Sequence, residues 1–156
     1  MRGVTADVVD PASGEEKRNR YNRIAREANL VSIVLESVNF KTTPSGVNSG
    51  LKNFNRSINS DVSEVTFNPE SGLCVSKVNW SVLVKEKNKK ISSCNATYVV
   101  IYDKIVNADQ GTVELFVENV ARVSTYAYFR ALFAQLDWAG LSGSPPLPVF
   151  RSNPKV

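Results

Sequence analysis

Between Val120 and Gly140 apolar residues return every three or four positions, at Val120, Val123, Tyr126, Phe129, Phe133 and Leu136. That spacing predicts an α-helix with one buried face. A second apolar set, Tyr128, Ala131, Leu132, Ala134 and Trp138, covers much of the remaining circumference, interrupted by Arg122, Arg130, Gln135 and Asp137. A helix apolar on nearly two sides is expected to be covered on two sides. The domain's own sheet supplies one cover. A second subunit is the expected other, with Tyr128, Leu132, Gln135 and Trp138 as the contact residues; the protein's own loop is the alternative. The periodicity begins upstream at Val113, Phe116 and Val117, so the helical region spans 112–140, as one helix or two. Thr112 is its expected cap and Gly140 its expected stop, with Gly143, Pro145 and Pro146 preventing continuation.

Alternating patterns dominate the middle of the chain. Leu30 to Lys41 is rich in β-branched residues with apolar side chains on both faces, which predicts a strand buried at least in part on both sides. Asp61 to Asn68 is a short strand closed by Pro69 and the Ser71-Gly72 turn. Leu73 to Lys87 and Lys90 to Val106 form a hairpin about Asn88. We expect Trp80 opposite Tyr98, Val82 opposite Ala96, Val84 opposite Cys94 and Val78 opposite Val100, which makes one face apolar. Thr42 to Ser60 reads as a long crossover loop whose Val47, Leu51, Phe54 and Ile58 pack onto the body. Near the N-terminus, Ser13 and Glu16 form a capping-box pattern ahead of a basic amphipathic helix from Glu15 to Ala28. Residues 1–12 are expected to be disordered, and residues 151–156 to form a polar tail. The predicted architecture is one α+β domain over 13–150: an N-terminal helix, a four-stranded antiparallel meander-type sheet with a long crossover loop, one long C-terminal helix, and an apolar Pro-rich tail over 141–150.

Composition narrows the chemistry. Apolar content of 42% and charged content of 22% are ordinary for a globular chain of 156 residues. No apolar run is long enough to cross a membrane, no secretory leader is evident, and a cytoplasmic location is expected. Histidine is absent, which removes the commonest general base and metal ligand and with them any Ser/His/Asp or Cys/His arrangement. The only two cysteines, Cys74 and Cys94, fall ten positions apart along the hairpin, too far for a disulfide and too few for a zinc site. No phosphate-cradling glycine loop occurs. No catalytic residue, metal site or cofactor is therefore predicted. The net charge of +4 is concentrated in Lys17–Arg26 and Lys85–Lys90. A basic nucleic-acid-associated module remains an alternative, but the one aromatic of the basic helix, Tyr21, lies on its apolar stripe, and the Lys-rich turn is short. A purely structural oligomer is a further alternative. The apolar loop and tail either close the core or form a surface for other chains.

The segment ARVSTYAYFRALFAQLDWAG resembles the long helix of the SecB family of export chaperones, whose opening runs Phe/Tyr-Pro-Tyr-x-Arg-Glu. Tyr126, Tyr128 and Arg130 fill their places, while Ala127 replaces the proline and Ala131 the glutamate. PPLPVF is similar to the family's Pro-x-Leu-x-x-Pro-Val-x-Phe, shortened. The resemblance covers about residues 29 to 150. It implies an ATP-independent holdase assembled as a dimer of dimers, in which edge strands join two subunits and long helices pack between the sheets. It also implies an apolar groove for unfolded client polypeptides, preproteins or an antitoxin. The groove residues carried over are Val47, Leu51, Phe54, Ile58, Val62, Phe67, Leu141, Leu147, Val149 and Phe150. The sequence departs from the family in two places. A second helix should follow Phe150, where this sequence has RSNPKV, so one groove wall is expected to be supplied differently. Where exporters present acidic residues to the SecA motor, this chain carries Lys77, Lys85, Lys87, Lys89, Lys90 and the N-terminal arginines. That puts SecA docking in question and fits a dedicated client, such as the antitoxin of a toxin–antitoxin–chaperone system.

Overall fold

A computed structural model describes residues 11–43, 54–140 and 145–150. The elements in chain order are α1 (Pro11–Glu27), β1 (Asn29–Thr42), β2 (Phe54–Asn68), β3 (Leu73–Glu86), β4 (Lys89–Asp103) and α2 (Gln110–Ala139). The four strands form one antiparallel sheet in the order β1-β4-β3-β2. The last three strands are thus a meander, and the chain crosses from β1 on one edge to β2 on the other. α2 lies on one face. This is the expected α+β architecture.

Several boundaries move. α1 starts at Pro11, whose fixed φ suits a first helical turn, and Ser13 lies inside the helix and not at its N-cap. β2 begins at Phe54 instead of Asp61, so Phe54 and Ile58 belong to a strand and not to the crossover loop. Phe54, Arg56, Ile58, Ser60 and Val62 alternate inward with outward Asn55, Ser57, Asn59 and Asp61. Two of the inward positions are polar, so the period of two shows in the sequence only as a period of four. A bulge at Glu64 (φ 51°) resets the alternation, and Val65 and Phe67 then face inward.

The β3–β4 register differs from expectation by two residues. Trp80 lies opposite Ala96, Val82 opposite Cys94, Val84 opposite Ser92 and Val78 opposite Tyr98. The expected pairs centre on Lys89; the turn is tighter, with Glu86 opposite Lys89 across Lys87 (φ 52°) and Asn88, and a one-residue bulge between Val84 and Lys85 brings the remaining pairs to a centre on Asn88. Each partner is drawn two positions nearer the turn. A shift of two preserves side-chain facing, so the apolar face survives intact. Cys74 now lies opposite Tyr102 and Cys94 opposite Val82, eight positions apart; both thiols are free and buried. At the other end of β3, Asn68 Oδ1 accepts from the backbone N–H groups of Glu70 (2.9 Å) and Ser71 (3.3 Å). Gly72 follows at φ +67°, where an added Cβ would come within 3.0 Å of the Ile105 carbonyl oxygen.

α2 is one continuous helix of 30 residues. Its N-cap is Asp109 and not Thr112. Oδ1 accepts from the Thr112 N–H (2.9 Å) and Oδ2 from the Thr112 hydroxyl (2.7 Å). Those two bonds, the hydroxyl's first, hold the Asp109 carboxyl below its usual range. Gly140 stops the helix as expected, donating its N–H to Leu136 O (2.8 Å). A Cβ there would meet the Phe40 ring at 3.0 Å.

The core lies between α2 and the sheet. Trp80 stacks on Phe129 with ring centroids 5.6 Å apart, and its indole N–H donates to Thr125 Oγ1 at 2.8 Å. Thr125 in turn donates to Ala121 O (2.7 Å), so the buried polar pair is satisfied. Val113, Phe116, Val117, Ala121, Tyr126, Phe129 and Phe133 complete the inner face of α2. Val123, expected on that face, is exposed, and Leu136 is half-buried. The buried stripe runs through Val113, Val117, Ala121, Thr125, Phe129 and Phe133 at steps of four, and Val123, two residues from both Ala121 and Thr125, falls about 200° round the helix from them. α1 rests on the body through buried Ile24 and through Tyr21, edge-on to Phe116.

Candidate functional site: a strapped cleft and two uncovered apolar surfaces

β2 and α2 flank a seam on the helix side of the sheet. Phe54, Ile58, Val62 and Phe67 all line the inward face of β2, each half-buried against the core. Four of the proposed groove residues therefore share one strip. Arg56 lies among them, its guanidinium 5.2 Å from the centroid of the Phe54 ring.

Residues 145–150 lie across this seam. Arg56 Nη1 donates to the carbonyl oxygens of Pro145 (2.5 Å) and Pro146 (2.9 Å), and the Tyr126 hydroxyl donates to Pro148 O (2.5 Å). Leu147 is only 1% exposed. Phe150 packs edge-on against Trp80 (5.5 Å) and beside Tyr126 (5.1 Å). Between them Val149 is 72% exposed. Leu147 is thus a core residue in this arrangement and not an open groove contact. Val47, Leu51 and Leu141 lie outside the described residues. Sequence reasoning passed over Arg56 and Tyr126 as ligands for a backbone, because Arg56 fell in the expected crossover loop and not on a strand.

Two further surfaces are apolar and bare. On β1, the strand at the sheet edge, Leu30, Val31, Val34, Leu35 and Val38 are 40–52% exposed, where burial on both sides was expected. The expected apolar faces are present, but the described chain covers neither fully. The outward face of α2 is the second: Trp138 is 81% exposed and Tyr128 55%, with Gln135 exposed beside them. Leu132, the fourth expected contact, is half-buried against the core and borders that face.

Polar features offer little competing chemistry. Arg20 pairs with Glu16 and reaches Asp109 (3.5 Å), and Arg23 donates to Asn107 O (2.7 Å). Two of the α1 arginines thus serve intramolecular contacts. Lys77 on the outer face bridges Glu36 (3.2 Å) and Glu64 (2.9 Å). No cluster of potential metal ligands occurs among the described residues, and no described helix is long and apolar enough to cross a membrane. Burial pushes the Cys74 and Cys94 thiols up to about 11.

The architecture matches a solved structure, that of the Mycobacterium tuberculosis Rv1957 SecB-like chaperone in complex with a ChAD peptide from the Rv1956 HigA1 antitoxin. The TM-score is 0.67 over 88% of this chain and 99% of that one, at 15% sequence identity. This chain has a SecB-like fold. A Streptococcus agalactiae protein of unknown function is also similar, at a TM-score of 0.41 and 7% identity over 81% of this chain and 98% of that one. No protein-family model and no curated protein matches the sequence. In the SecB-like fold this chain has an apolar β1 edge, an uncovered helix face, and a β2–α2 seam occupied by residues 145–150.

Proposed function

We propose that this SecB-like chain is an ATP-independent holdase that keeps a client polypeptide unfolded along the β2–α2 cleft. The observation that carries the reading is the strip of Phe54, Ile58, Val62 and Phe67. It is apolar, reaches the surface, and has side-chain donors (Arg56 and Tyr126) able to take backbone carbonyls of any sequence. No step needs nucleotide or catalysis. The bare β1 edge and the Tyr128/Trp138 face support assembly as a dimer of dimers, since a long, apolar edge strand left open is a site of chain pairing. The lysines and arginines at the surface, set against the acidic surfaces of exporters, favour a dedicated client over a SecA motor. The solved neighbour's antitoxin peptide supports an antitoxin as that client. The test is light scattering from a chemically unfolded client diluted into buffer without nucleotide. Aggregation should fall in proportion to added protein. Undiminished aggregation at stoichiometric excess of folded protein would overturn the proposal.

A further inference from the structure

The strap at 145–150 differs from ordinary core in how it is held. Among the described residues, its hydrogen bonds to the body all run from body side chains, Arg56 and Tyr126, to strap carbonyls. None uses a strap N–H, and Pro145, Pro146 and Pro148 have none to give. Its apolar grip consists of two side chains three positions apart: Leu147 inserted fully, and Phe150 against Trp80 and Tyr126. Val149 between them faces outward. Every polypeptide offers carbonyls, so Arg56 and Tyr126 recognise a backbone without reading its sequence. Selection is left to the Leu147 and Phe150 positions, which accept an aliphatic residue and an aromatic one.

We propose that the β2–α2 cleft binds extended polypeptide segments carrying a leucine-like residue and an aromatic residue three positions later, and that residues 145–150 are its replaceable occupant in cis. The inference rests on the client-binding reading and names the pattern that the site selects. A client segment replaces Leu147 and Phe150 with its own side chains, and Arg56 and Tyr126 transfer their donors to its carbonyls. The exchange keeps both donors on carbonyls and the apolar sites filled, whereas a simple opening of the strap would hand the donors to water and expose Leu147 and Phe150. It also sets the affinity. A cleft free for only about one hundredth of the time binds a client about a hundredfold more weakly than its intrinsic affinity, because the apparent dissociation constant is the intrinsic one divided by the free fraction.

The experiment uses a fluorescein-labelled peptide with the sequence of residues 143–152, GSPPLPVFRS, followed by anisotropy on the full chain. Phe150→Ala empties one strap contact and leaves the cleft residues untouched. Its affinity for the peptide should exceed that of the unchanged chain at least tenfold. A double Pro145→Gly/Pro146→Gly variant raises the entropy of the detached strap, and both prolines are exposed, so the fold is spared. That variant should bind about five- to thirtyfold tighter, from roughly half to one kcal/mol per proline. A peptide with alanine at both its leucine and its phenylalanine should bind neither variant. Equal affinity in all three proteins, with cooperative unfolding retained, overturns the inference. Should Phe150→Ala fail to fold, the glycine variant decides alone. If the unchanged chain suppresses aggregation while no variant gains peptide affinity, the strap inference fails and the chaperone reading stands. If suppression is absent but the loosened variants bind the peptide tighter, the strap inference stands and the chaperone reading fails.

Discussion

Trp80 is met by four partners: Phe129 stacks on its face, Tyr126 lies tilted against it, Thr125 accepts its indole N–H, and Phe150 presents an edge. The Thr125 acceptor is the part with no substitute. Thr125→Val preserves shape but leaves a buried donor unsatisfied, at a cost of about 1–3 kcal/mol. Urea unfolding should show that loss as a lower midpoint with an unchanged slope. The cysteines make a second residue-scale prediction. With both thiols pushed up to about 11 by burial, only about one in a thousand is ionised at pH 8. Iodoacetamide should leave the folded protein unlabelled and modify both sites on unfolding, as mass spectrometry would record. The sign of the linkage follows. A thiol whose folded value is raised favours the folded state fully below its unfolded value near 8.5, and loses that contribution as pH rises towards 11. At this scale the sequence was legible for the thiols and the aromatics, whose burial follows from alternation. Thr125, Arg56 and the Tyr126 hydroxyl were not legible as contacts. Their partners lie 22 to 90 residues away, and local periodicity carries nothing about them.

Elements were legible where apolar and polar positions separated cleanly. β3, β4 and the long run of α2 follow directly from such patterns. The first half of β2 was hidden because Arg56 and Ser60 occupy inward positions, and the expected hairpin pairs were centred on Lys89, one residue past the observed centre at Asn88. The two bare elements have separate consequences for assembly. Val34→Lys places a charge on the open β1 edge, a device that blocks edge pairing, and Trp138→Asp does the same to the outward face of α2. In a dimer of dimers each should reduce the particle mass in multi-angle light scattering to a dimer, and the double variant to a monomer. Both positions are exposed within the described chain, so the circular dichroism should be unchanged. A particle that is monomeric before any substitution would remove the assembly from the proposal.

For the whole molecule, the family resemblance was legible in the long-helix segment and in PPLPVF. What the sequence could not convey is that the apolar tail lies across the cleft it was expected to help form. Leu147 is equally apolar as a wall or as a plug, and only the third dimension separates the two. The sheet order carries a different consequence, for synthesis. β2, β3 and β4 pair with neighbours in sequence, so each can dock soon after it is made. β1 cannot. Its only partner in the described sheet is β4, and the register joins Asn29 to Asp103 and Thr42 to Ser92, separations of 74 and 50 residues. Until translation has passed Asp103, the first strand made is the last to find its place, and its row of leucines and valines trails from the ribosome as an apolar ribbon. A chain proposed to shelter unfolded polypeptides therefore begins life presenting one.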